Sequence, residues 1–127
     1  MKTKTPYEEA QRYMENAKDN LKKAGKKDGQ YADIKYVQIG AGVAYNGVLL
    51  ALDEYLKQKE GLKFVKPKSI EEYRTRITKQ NKTILNLLNT VYTALHLSGY
   101  YHGTNSVKVI QVGMDDAKKI IEFIKPQ

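Results

Sequence analysis

Four stretches of this chain place apolar residues at alternating steps of three and four. The first runs Tyr7, Ala10, Met14, Ala17, Leu21, Ala24, and the second Ile34, Val37, Ala41, Ala44, Val48, Ala51, Tyr55. The third is Ile84, Leu88, Val91, Leu95, and the fourth Val107, Ile110, Met114, Ala117, Ile121, Ile124. That spacing draws one apolar seam along one side of an α-helix. Each seam needs a partner to bury it, so four seams in 127 residues predict an all-α, up-and-down four-helix bundle in a single domain, residues 1–127.

Local signals set the expected boundaries. Thr5, Pro6 and Glu8 form a capping box with proline at the first helical position, and Gly25 closes the helix, giving about 6–24. A polar connection, Gly25 to Gly29, leads to a second helix over about 31–59, with Gly61 beyond it. Gly40, Gly42 and Gly47 lie inside that helix, where each costs roughly 1 kcal/mol relative to alanine. Close approach of another backbone is the expected reason, with Gly40, Ala44 and Gly47 on one side; a kink is the alternative. Ser69 opens a second capping box, Ser-Ile-Glu-Glu, for a short extra helix over 70–77, and a break is expected near Thr78. A third long helix over about 80–97 then stops before Gly99. Residues 98–105 read as a turn-rich loop, and Asn105 or Ser106 caps a last helix over about 106–125.

Composition narrows the function classes. The chain has no cysteine, which excludes disulfides and thiolate chemistry. Two histidines fall short of the four ligands of structural zinc, so no metal and no cofactor is expected. Met1-Lys2-Thr3-Lys4-Thr5-Pro6 has no apolar leader, and Val48-Leu49-Leu50-Ala51-Leu52 is far shorter than the ~20 residues of a membrane span. A cytoplasmic protein with no membrane partner is the expectation.

The net charge is +8, and it is uneven. Residues 62–82 hold seven basic side chains, including Arg74, Arg76, Lys79 and Lys82, against Glu71 and Glu72. Such a segment attracts polyanions, RNA or an acidic protein among them; a solvated, solubilising surface is the plainer alternative.

The stretch from Leu95 to Gly103 holds both histidines, His96 and His102, with Tyr100 and Tyr101 between them. Two imidazoles supply an acid and a base for phosphodiester cleavage; alternatively, His96 caps a helix end and His102 is an exposed loop residue. Ser106 and Lys108 at the start of the last helix are candidates for holding an anion. Among ten tyrosines, Tyr100 and Tyr101 are the first candidates for stacking on nucleobases.

The run from Ala41 to Leu56, the run from Asn89 to Tyr100 and the Thr-Pro-Tyr-Glu-Glu-Ala start resemble an uncharacterised family of small bacterial helical proteins, a domain of unknown function. That resemblance implies an all-helical domain and no particular activity. The order of elements also resembles, more distantly, the HEPN (higher eukaryote and prokaryote nucleotide-binding) superfamily. Its members are often dimers, and many are ribonucleases carrying Arg, four to six residues, then His. Here the pair with that spacing is His96 and His102, with His96 where the arginine would stand. The resemblance therefore implies a non-catalytic module for an anionic partner (RNA, a nucleotide or an acidic protein), and a homodimer. A metal-independent ribonuclease using His96 and His102 is the alternative, and a purely structural homodimer the third reading.

Overall fold

The computed structural model describes residues 4–127; the first three residues, on which the reading of the N-terminus partly rests, lie outside it. The chain folds as an all-α bundle. Helix α1 (Pro6–Ala24) begins with the complete capping box: Glu8 N donates to Thr5 Oγ1 at 3.1 Å, and Thr5 N to Glu8 Oε1 at 3.0 Å.

The connection after Gly25 is a miniature hairpin, β1 (Lys26–Lys27) paired antiparallel with β2 (Gln30–Tyr31). Asp28 and Gly29 both have positive φ, 54° and 77°, which is the Asp-Gly signature of a two-residue hairpin turn. The hairpin displaces the expected start of the second helix. Tyr31 lies in β2, and its N–H donates to Asn105 O at 2.9 Å. Helix α2 (Ile34–Glu60) starts three residues later, where Asp33 Oδ1 caps Lys35 N.

At 27 residues, α2 is about 40 Å long and forms the spine of the bundle. Its glycines do bring backbones together. A Cβ on Gly40 would lie 3.0 Å from Ala17 O, and one on Gly47 would lie 2.9 Å from Tyr13 Cβ, both on α1. The small-residue face of α2 is thus covered from within the chain.

After a 3₁₀ turn (Gly61–Lys63) and an extended linker, α3 (Ile70–Gln80) starts at Ser69, whose Oγ accepts from Glu72 N at 3.1 Å. Only half of the second capping box forms, because the Glu72 carboxylate takes Lys68 N at 2.7 Å instead of Ser69 N. The break expected at Thr78 falls at Asn81. Thr78 Oγ1 bonds back to Arg74 O and stays helical, whereas Asn81 is extended (φ −164°) and serves both helices. Its N–H donates to Ile77 O, and its Oδ1 accepts from Ile84 N.

Helix α4 (Lys82–Val91) runs past the expected stop near Leu97. It continues as a π-helix over Tyr92–Tyr101, so the first half of the expected loop is helical. The reason is packing. Gly99 is buried, and a Cβ there would lie 2.5 Å from Ala41 Cβ and 2.9 Å from Ile110 Cδ1; it is a contact point for α2 and the last helix, not a turn. Gly103, at φ +64°, is the residue that leaves the helix. Helix α5 (Val107–Glu122) is capped by Ser106 Oγ on Val109 N and ends at Glu122, one turn before the expected boundary. A continuous core of buried side chains from all five helices, including Val48, Leu52, Ile77, Leu88, Leu95 and Ile110, holds the elements together.

Candidate functional site

Ten-residue π-helices are rare, and π-helical turns concentrate at functional sites. Here the wider ladder, marked by His102 N donating to Leu97 O five residues back, aligns three rings spaced four residues apart. His96 stacks on Tyr92 at 5.1 Å (28° between planes) and on Tyr100 at 6.0 Å (16°), and Tyr45 of α2 packs beside it at 4.7 Å. The far end of the column is closed by a cation: Arg74 Cζ of α3 lies 4.8 Å from the Tyr92 ring centre. Arg74 is held there by Nε donating to Asn89 Oδ1 at 2.9 Å and by an ion pair with Glu71 at 2.8 Å. Burial, and secondarily the neighbouring Tyr92, pushes the Tyr45 hydroxyl up to about 12, so it stays protonated.

The open end of the column lines a groove of about 400 Å³ between α2 and the π segment. Its walls include Ile39, Val43, Tyr45, His96 and Tyr100, with the amides of Gln38 and Asn46 at its edge. Tyr100 lies flat over Gly42, where a Cβ would come within 2.8 Å of the ring, and Gln38 Nε2 donates to Tyr100 O at 3.3 Å. Tyr100 is 51% exposed and Ile39 39%, an aromatic and apolar face presented to solvent.

The two histidines keep different company. His96 belongs to the column, whereas His102 is exposed and packs edge-on against Tyr101, itself 70% exposed. The rings that touch one histidine do not touch the other. Ser106 spends its hydroxyl on capping α5. Lys108 is exposed.

The basic segment divides in the same way. Arg76 is committed to Glu60 through a two-pronged ion pair, with Glu72 3.8 Å away, and it covers the Phe64 ring. That arrangement ties α3 to the end of α2. Lys79 and Lys82 are exposed, and among the described residues they have no ion-pair partner. Nor do three or more His, Asp or Glu side chains converge among the described residues as a metal centre requires. No helix there is long and apolar enough to cross a membrane.

The model of one family, Domain of unknown function (DUF5618), matches residues 5–126. The chain belongs to this family. It is similar to a solved structure described as a protein of unknown function from Dyadobacter fermentans, with 39% sequence identity and a TM-score of 0.81 over 93% of this chain and 91% of that one. No curated protein matches it. For this DUF5618 member, functional inference therefore rests on the geometry of the site. Tyr45, Tyr92, Gln38 and Asn46 are the parts that sequence reasoning left out. One signal for the column was present: Tyr92, His96 and Tyr100 recur every four residues across the expected helix boundary.

Proposed function

We propose that this protein is a non-catalytic binding module for an anionic partner, with single-stranded RNA the partner its groove suits best. The observation that carries this reading is the half-exposed ring of Tyr100, seated on Gly42 at the mouth of a column that ends in Arg74. A base stacks on the exposed aromatic surface, as single-strand binders use such platforms. The amides of Gln38 and Asn46 present hydrogen-bonding groups at the groove edge. Lys79, Lys82 and Lys108 supply the salt-dependent attraction for phosphates. The resemblance to HEPN bundles supports a nucleic acid over an acidic protein. Catalysis by a His96–His102 pair gains no support, since the imidazoles occupy separate aromatic clusters.

The test is fluorescence anisotropy with a labelled single-stranded oligoribonucleotide, titrated across salt. Tyr100→Ala weakens binding about 5- to 100-fold, the range for losing one stacked base, and Tyr100→Phe restores most of it. Reversing Lys79 and Lys82 to Glu flattens the salt slope. Affinity that is indifferent to Tyr100→Ala overturns the reading.

A further inference from the structure

A second cleft lies apart from the aromatic groove, between α1 and α5 beneath the hairpin. It measures about 320 Å³, and its floor is apolar: Leu21, Met114 and the buried ring of Tyr31. Four ammonium groups stand around it, Lys18, Lys22 and Lys26 from one wall and Lys118 from the other. Two carboxylates adjoin them. Asp115 accepts from Gln111 Nε2 at 2.9 Å, and Glu15 lies 3.5 Å from Lys18. The cation excess is therefore concentrated at the hairpin end.

The cleft continues along the same pair of helices. A further hollow of about 210 Å³ shares Lys18 and Lys118 with the first and runs over Met14 and Ile121 towards Glu122. The two together run along α1 from Lys22 back to Gln11, about 17 Å at ~1.5 Å per residue, with Lys26 of β1 beyond. The floor is apolar throughout; the hairpin end is cationic, and the other end is close to charge balance, with Glu15 and Glu122 against Lys18 and Lys118, and Glu122 also accepts from Tyr7 OH.

We infer that this channel binds a single-chain amphiphile whose anionic head, carboxylate or phosphate, sits among Lys18, Lys22, Lys26 and Lys118 and whose acyl chain lies along the floor towards Ile121. The charge gradient sets the orientation: at the hairpin end four ammonium groups face the single carboxylate of Asp115, whereas at the other end Glu15 and Glu122 offset Lys18 and Lys118. Two methionines on the floor, Met14 and Met114, adapt to a flexible chain. The site shares no lining residue with the aromatic groove and stands or falls independently of it.

The test is a titration of ¹⁵N-labelled protein with decanoate, decyl phosphate and decanol, each below its aggregation threshold. Saturable amide shifts confined to the α1–α5 channel with either anionic probe, and not with decanol, support the site and distinguish the two heads. Lys22→Glu with Lys118→Glu, both on exposed positions, weakens that binding at least tenfold with the melting temperature little changed. Absence of saturable shifts, equal shifts with decanol, or binding untouched by the double reversal overturns the inference. Saturable shifts in the channel with an acidic helical peptide, and none with the decyl probes, would overturn the inference and assign the channel to a protein partner instead.

Discussion

The Tyr73 hydroxyl donates to Asp53 Oδ1 at 2.6 Å, joining the first turn of α3 to the C-terminal third of α2. Lys66 Nζ also lies 3.9 Å from Asp53 but is itself largely exposed. The hydroxyl is therefore the main support of a half-buried carboxylate. Tyr73→Phe keeps the ring in the core and deletes the donor. The expected cost is about 1–3 kcal/mol at neutral pH, read from urea unfolding, and it shrinks in acid as Asp53 protonates.

Burial raises the Asp53 carboxyl above its ordinary 3.8, against the opposing pull of Tyr73, Lys66 and Arg76. The folded chain then holds this proton to higher pH than the unfolded chain does. The contribution to stability is complete below the ordinary value and is lost as pH rises through the raised one. Asp53→Asn removes that loss. Thermal melts between about pH 3 and pH 7 should show the variant gaining on the parent as pH increases. A constant difference across that range would mean that Asp53 titrates alike in both states.

Gly99 and Gly42 both lie under close neighbours, but the neighbours differ in freedom. Gly99→Ala drives a methyl group against Ala41 and Ile110 inside the core and should cost about 1–3 kcal/mol by overpacking. The nearest atoms to a methyl group in Gly42→Ala belong to the ring of Tyr100, which is half-exposed and can swing outward. Its stability should change by less than about 1 kcal/mol, helped by the higher helix propensity of alanine. Its signature is local: the ring-current shifts and cross-relaxation between His96 and Tyr100 disappear from the NMR spectrum.

The ion pair of Arg76 with Glu60 makes this arginine a structural tie, unlike Lys79 and Lys82. Arg76→Ala should lower stability by about 1–2 kcal/mol, in line with a partly buried pair, and leave RNA affinity within about twofold. If affinity fell as far as stability, Arg76 would belong to the binding surface.

The helices were legible because periodicity and caps act over a few residues. Thr5 with Glu8 and Ser69 with Glu72 N each mark a helix start by a bond three residues long. Where the reading failed, a distant partner had decided the outcome. Residues 98–101 have the composition of a turn, yet Gly99 is helical because Ala41 and Ile110 leave no room for a side chain. Thr78 was the wrong breaking point because its hydroxyl found Arg74 O, while Asn81 could cap in both directions. The Asp28-Gly29 hairpin was a local signal that was overlooked, being only two residues per strand. The candidate site was half legible. Arg74, His96 and Tyr100 were singled out, but their joining into one column depends on Tyr92 and on a ladder of π-type bonds that no local pattern announces.

The hairpin between α1 and α2 also has a kinetic consequence. It joins two consecutive antiparallel helices through a turn set by Asp28 and Gly29, and their closest approach, at Gly40 and Gly47, needs no other part of the chain. Loop closure across so few residues costs little entropy, so this pair is the natural nucleus for folding. The π segment needs α2 and α5 in place around Gly99, so its contacts should form later, with φ-values near zero for substitutions there. The aromatic groove should therefore be among the last features to form and the first to be lost when the protein opens, which hydrogen exchange of its amides would read.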